Sequence, residues 1–200
     1  MSQPLAITAV GMVTGVGLNA AASCAAIRCA IDNFQETRFI DDGGEWIMGC
    51  EAPLEQPWRG KTKLLKLAAL AIRECLEEHG QIQPEQTPLL LCLPETERPG
   101  RVLTDDNAFF FELQQELGMQ FHAKSRVIAM GRVSAGVALQ HTRKLFQAGT
   151  ARQVVIAATD SLLVGATLAA FMEREYVLTS RNSDGFIPGE AGAAVVVEPV

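Results

Sequence analysis

Little in these 200 residues supports chemistry that needs a metal or a broad positive field. There are five cysteines and three histidines. Cys24, Cys29, Cys50, Cys75 and Cys92 form no CxxC pair and lie in no His-rich stretch, so no metal site is expected. An odd, unpaired set of thiols fits a reduced, cytoplasmic chain better than a disulfide scaffold. Positive charge is also scarce. Seventeen Lys and Arg against 23 Asp and Glu leave a formal charge of −6, which argues against nucleic acid as a partner. Disorder and collagen are excluded by 48% hydrophobic content and by 17 glycines without a period. The uncharged run from Leu5 to Ile27 has no Lys or Arg before it, and Gly11, Gly15, Gly17 and Asn19 interrupt it. It reads as a strand, a turn and a helix rather than a signal peptide or a membrane span.

What is present alternates between short apolar runs and helical spacing. Strands are expected at Leu5–Val10, Leu89–Leu93, Arg126–Met130, Gln153–Ala158 and Ala193–Val197. Helices are expected from Asn19 to Ile31, Thr62 to Glu78, Asn107 to Leu117, after Gly136 to Ala148, and Leu162 to Glu175. The segment from Phe34 to Trp58 has Gly43-Gly44, two prolines and no sustained period, so an irregular excursion is expected there. The class is α/β, with the sheet covered on both faces and residues 1–200 forming one domain.

Three motifs carry candidate chemistry. Gly15-Val-Gly-Leu-Asn-Ala20 fits a G-x-G-x-x-A turn before a helix, the setting of a nucleotide-binding module. The strand before it ends too early, however, and no following strand ends in a ribose-binding acid, so a tight turn is the plainer account. Gly131-Arg-Val-Ser134-Ala-Gly136 joins a strand to a helix like a nucleophile elbow, yet Ser134 is one residue out of place for G-x-S-x-G. His79, His122 and His141 fall at polar helix ends or faces, where no base for a serine nucleophile is indicated. Arg59, Lys61, Lys63 and Lys66 crowd a helix start without an intervening acid. Cations are disfavoured there by the helix dipole, so either a solvated face or a docking patch for an acidic partner is indicated.

Four segments together resemble the N-terminal half of a β-ketoacyl synthase, a thiolase-like condensing enzyme. Ile7-Thr-Ala-Val-Gly11-Met-Val-Thr-Gly-Val-Gly17 resembles the family's opening strand and turn, with Ala9 and Gly15 where the family has Gly and Pro. Leu64–Glu77 is similar to its Ala- and Leu-rich second helix. Arg143–Ala151 running into Val154–Ala158 is similar to the helix after the nucleophile and the next strand. Asp184-Gly-Phe-Ile-Pro-Gly-Glu190-Ala-Gly-Ala-Ala-Val-Val-Val-Glu198 resembles the family's D-G-F-x-x-G-E-G-A stretch and closing strand, with Ala191 for a Gly.

The resemblance implies a five-stranded, mostly parallel mixed sheet with an antiparallel last strand. It implies no cofactor, and a homodimer or a ketosynthase-like heteromer formed through a sheet edge, with Gln153–Ala158 as the strand in need of cover. Helix length places Arg132 where the family has its nucleophilic Cys. A guanidinium stays protonated and cannot accept an acyl group. The family's two catalytic His belong to a second half absent from these residues. A catalytically silent ketosynthase-like protein related to fatty acid or polyketide synthesis is therefore expected, either as a partner subunit or as an acyl- or carrier-binding module. A partially active acyltransferase or decarboxylase completed by a second half is the alternative. Gly131, Arg132 and Ser134 are the pocket candidates, and Asp184 and Glu190 the acids expected to pair with Arg132. Arg59, Lys61, Lys63 and Lys66 are the candidates for docking acyl carrier protein.

Overall fold

The computed structural model describes residues 4–200. Leu89–Cys92, an apolar run between Pro88 and Pro94, forms strand β4, and all four of its residues are buried. A strand buried on both faces needs neighbours on both sides and helices above and below. It has them in a five-stranded sheet, in the order β1 (Leu5–Val13), β7 (Glu190–Pro199), β6 (Val154–Ser161), β4 and β5 (Arg126–Ile128). Strand β4 pairs in parallel with β5 and β6, whereas β7 is antiparallel to both β6 and β1. Four strands thus share one direction, and the last runs against them, as the resemblance implied.

Helix α2, Gly60–His79, crosses one face of the sheet. Leu64, Leu67, Ala68, Ala71, Ile72 and Cys75 recur at helical spacing and enter the main core with Leu89, Leu91, Val155 and Val196. Helix α3, Asp106–Leu117, lies beside α2. Its Asp105 cap accepts from the amides of Asn107 and Ala108. Gly11 lies inside β1, not in a turn, where a Cβ would meet the Ala71 carbonyl oxygen of α2 at 2.0 Å. On the opposite face α4, Ser134–Gln147, packs over Leu90, Ile128, Val154, Ile156 and Val197. That cover is narrower than the sequence suggested. Ile7, paired with Val197 on this face, is 62% exposed.

The stretch expected to be irregular holds an antiparallel hairpin, β2 Gln35–Ile40 and β3 Trp46–Gly49. Its turn is organised by Asp41, whose carboxylate accepts from the Gly43 and Glu45 amides and from both the amide and the hydroxyl of Ser180. These bonds, the Ser180 hydroxyl foremost, hold the Asp41 carboxyl well below the usual carboxylate range. Helices α1, Ala20–Arg28, and α5, Gly165–Met172, complete the structure. No helix among the described residues is long and apolar enough to cross a membrane.

The strand Gln153–Ala158 does not need a partner molecule. As β6 it lies in mid-sheet, paired with β7 along its whole length and with β4 on the other side. The edges are β1 and β5. On β1 the amides of Val10 and Met12 donate to the carboxylates of Glu78 and Glu74 on α2, at 2.6 and 2.8 Å. Strand β5 has no such cover among the described residues.

Candidate functional site

In sheets of this kind the C-terminal ends of the parallel strands face a crevice, because the chain leaves them in opposite directions. Here the ends of β4 and β6 meet the beginning of β7 at a cleft of about 380 Å³. Cys92 and Leu93 enter from β4, Ala158 to Asp160 from β6, and Glu190, Ala191 and Ala193 from β7, with Gly131 at one side. The lining is apolar except for Thr159, Asp160 and Glu190, so it suits an apolar chain with a few polar anchors.

Glu190 secures one wall. Its carboxylate accepts from the Ala52 amide at 2.9 Å and the Ser161 hydroxyl at 2.9 Å, and it pairs with Lys63 Nζ at 2.5 Å. Lys63 also meets Glu51 at 2.6 Å. Its side chain is only 7% exposed, so it belongs to this buried network and not to a surface patch. The other wall is tied by Arg98, whose buried guanidinium grips Glu95 through two bonds and Asp160 through a third. Glu95 is held below its ordinary pKa, first by the Arg98 hydrogen bonds and, among lesser causes, by the charge of Arg132.

The turn after β5 departs from the sequence expectation. Gly131, with φ of 55°, starts a 3-10 turn over Gly131–Val133, and its amide donates to the Leu93 carbonyl at 3.1 Å. Ser134 is buried, donates to the Ile128 carbonyl and accepts from the Met130 amide, both at 3.0 Å. Its hydroxyl therefore clasps the turn instead of facing the cleft. Arg132 is exposed, and no ion pair involves it among the described residues. The expected pairing with Glu190 or Asp184 is absent, because Glu190 is occupied by Lys63, while Asp184 is exposed and meets the Ser183 hydroxyl. The carboxylate nearest the turn is Glu95, whose Oε2 would lie 2.2 Å from a Cβ on Gly131.

Cys92 was not foreseen at this site. It sits on β4 opposite Ile128 of β5 and lines the same cleft as Gly131. Burial pushes its thiol up to about 11, so it stays protonated at neutral pH. Arg98, Glu95 and Asp160 were also missed. Their spacing carries no pattern, and only the fold brings the loop after β4 against the end of β6.

The basic cluster at the start of α2 resolves into an interhelix ladder. Lys61 pairs with Glu112 and Lys66 with Glu116, each at 2.8 Å, and Arg73 reaches the same Glu116 at 3.8 Å. Lys66 also lies over the Trp58 ring. Arg59 is exposed and outside this ladder. The Gly15–Gly17 turn packs onto Cys50 and Ser23. At the following helix, Asn19 accepts from the Ala22 amide and Glu74 from the Ala20 amide, both at 2.7 Å. A carboxylate already stands where a nucleotide phosphate would be placed, which removes the case for a nucleotide-binding module.

Taken together, the strand order, the strand-turn-helix after β5 and the antiparallel closing strand define a thiolase-like fold of the ketosynthase kind. Comparison with solved structures agrees. The ishigamide ketosynthase/chain length factor superposes with a TM-score of 0.67 at 17% identity, over 98% of this chain and 62% of that one. A type II polyketide synthase acyl-carrier protein in complex with its ketosynthase bound to the hexaketide gives 0.75 at 12% identity, over 100% of this chain and 59% of that one. The ketosynthase from module 6 of the Bacillus subtilis 168 bacillaene synthase gives 0.70 at 12% identity, over 98% and 40%. The chain therefore spans less than two thirds of the length of these structures. No family model and no curated protein sequence matches it.

Proposed function

We propose that this chain is a ketosynthase-like subunit that does not itself condense acyl groups and works beside a partner in synthesis of the polyketide or fatty acid type. The observation that carries the reading is the chemistry around the turn after β5. The resemblance puts Arg132 at the position of the nucleophile, and the one thiol in the cleft lining, Cys92, is buried and protonated. Neither a guanidinium nor a buried thiol attacks a thioester at neutral pH. The apolar cleft suits an acyl chain. A ketosynthase/chain length factor and a carrier protein–ketosynthase complex among the structural neighbours support a partnered role.

The direct test is incubation of the purified chain with malonyl- and acetyl-loaded acyl carrier protein. Mass spectrometry should find no acylated protein and no condensed product. An acyl adduct on any cysteine, or product above background, overturns the reading.

For pairing with a second ketosynthase-like chain, identical or related, the edge of β5 is the candidate, since carboxylates already meet the β1 amides of Val10 and Met12. Static light scattering at high micromolar concentration, with the chain alone and mixed with a ketosynthase, tests it. A strict monomer in both cases would refute this assembly. For the carrier protein, Arg59 and Lys61 remain as docking residues. Binding should weaken in Arg59→Glu/Lys61→Glu and with added salt, and unchanged titration of the double variant would remove the patch.

A second reading is favoured by one observation, the partly uncovered sheet face around Ile7. A second half laid on that face and bringing histidines would permit malonyl decarboxylation, which needs enolate stabilisation rather than a thiolate. Reading the gene beyond codon 200 separates the two. A continuing frame with two His motifs supports the enzyme, and a stop there supports the silent partner.

A further inference from the structure

A cavity of about 150 Å³ opens between the edge strand β5 and helix α4, sharing no lining residue with the cleft described above. Its polar lining consists of Lys124, Arg126, His141 and Lys144, over Leu90 and Leu145. The fold explains the gathering. Arg126 is the parallel partner of Leu90, so both side chains rise from the same face of the sheet. His141, Lys144 and Leu145 follow at spacings of three and four along α4, which presses that side toward β4 and β5.

The cations here are unanswered. No carboxylate lines the cavity, and none of Lys124, Arg126 and Lys144 joins an ion pair among the described residues. Lys61, Lys66, Arg98 and Arg101 each meet an acid, while Arg28, Arg59, Arg143 and Arg174 also lie outside the ion pairs described, so what marks this cavity is the gathering of cations in one lining without an acid. On a chain of formal charge −6, acids are plentiful, yet none lines this cavity, and three like charges do. Arg126 Nη1 donates to His141 Nε2 at 3.4 Å. Arginine only donates, so that ring nitrogen is an acceptor and the imidazole is neutral. Burial first, then the charges of Arg126 and Lys144, lowers the proton affinity of His141. The groups facing it are Arg126 from β5, Lys144 on its own helix and Lys124 from the preceding turn, while β4 contributes only Leu90.

We propose that this cavity is a binding site for a phosphate dianion, either free or as the terminal group of a monoester. Arg126 supplies the planar fork, and Lys124 and Lys144 supply point charges. The two leucines provide an apolar floor for the organic part of an ester. A dianion fits better than a carboxylate because three cations line one cavity beside an imidazole able to take up a further proton. The site is independent of the ketosynthase-like reading and stands or falls separately.

Isothermal titration of the whole chain with sodium sulfate, inorganic phosphate and glycerol 3-phosphate, at ionic strength held constant with chloride, provides the test. Sulfate serves because it stays a dianion throughout the neutral range. Saturable binding is expected, with the dissociation constant raised about tenfold or more by Arg126→Gln and by Lys144→Gln, each the loss of one charge-assisted contact. Arg174→Gln, an exposed cation elsewhere, should leave it unchanged. Sulfate should also raise the titration midpoint of His141, followed by NMR, in the parent and not in Arg126→Gln. Tighter binding of glycerol 3-phosphate assigns the site to a phosphate ester, and equal binding assigns it to the free ion. Failure of all three anions to saturate, or equal binding by the parent and both cavity variants, overturns the proposal.

Discussion

Lys63 and Glu190 form a buried ion pair, Nζ to Oε1 2.5 Å, that joins the first turn of α2 to the first residue of β7. The Ser161 hydroxyl and the Ala52 amide complete the coordination of the carboxylate. A buried charge without its partner is strongly unfavourable, whereas the intact pair is close to neutral against an apolar replacement.

Lys63→Met or Glu190→Leu alone should therefore destabilise the fold by about 3–5 kcal/mol, and the double variant by clearly less than the sum. Urea unfolding of the four proteins measures this. Additive losses would show that the two side chains do not depend on each other.

Gly185 should accept no side chain. A Cβ there would lie 2.1 Å from the Val177 carbonyl carbon and 2.2 Å from the Leu178 amide nitrogen, and backbone cannot move aside as a flexible side chain can. Gly185→Ala is expected to lose about 2 kcal/mol or more. The bonds from the Leu178 amide to Phe186 and from the Phe186 amide to Tyr176 should open in hydrogen exchange. Wild-type stability would contradict this packing.

Cys92 sets a direction for stability at alkaline pH. In the unfolded chain its thiol ionises at its ordinary value of 9.0, and in the folded chain at about 11. Between these values the unfolded chain has lost a proton that the folded chain keeps. Stability is thus complete below about pH 9 and falls as pH rises toward 11. Cys75, pushed up to about 12 by burial, acts in the same direction. Denaturation midpoints from pH 8 to 11 should decline, and Cys92→Ala should flatten part of the slope. At pH 7.5, iodoacetamide should label exposed Cys24 and Cys29 well before Cys92, and preferential labelling of Cys92 would sink its assignment as a buried thiol.

Arg132→Ala should change stability by no more than about 0.5 kcal/mol, since the side chain is exposed and outside every ion pair described. Arg132→Cys should still give no condensation product, because no histidine lines the cleft to assist decarboxylation or to hold an oxyanion. Thermal melts and a carrier-protein assay check the two halves. A loss above about 2 kcal/mol for Arg132→Ala would mean that the guanidinium is structurally engaged.

Much of the fold was legible because it rests on local rules. The run Leu89–Cys92 between prolines, the α2 stripe from Leu64 to Cys75 ending at Gly80, and the Asn19 cap are patterns of neighbours along the chain. The hairpin Gln35–Gly49 was not legible. Its first strand is largely exposed, its second is only four residues long, and its turn is held by Asp41 reaching Ser180, a contact that leaves no periodicity in either segment. The mid-sheet position of β6 is a second case. An apolar strand reads the same in mid-sheet as at an edge, and only the pairing with β7 and β4 separates the cases.

The α/β alternation, the antiparallel closing strand implied by the resemblance, and the lack of a cysteine at the turn after β5 are all written in the order of residues. What the charges do depends on the folded arrangement. Lys63 and Lys66 are equivalent in sequence, yet one is buried against Glu190 and the other spans to Glu116 on α3. Arg98 anchors the cleft, while Arg132, on the turn after β5, faces solvent. A side chain's period along a helix sets its face, but its electrostatic role is set by which distant residue the fold places within a few ångströms of it.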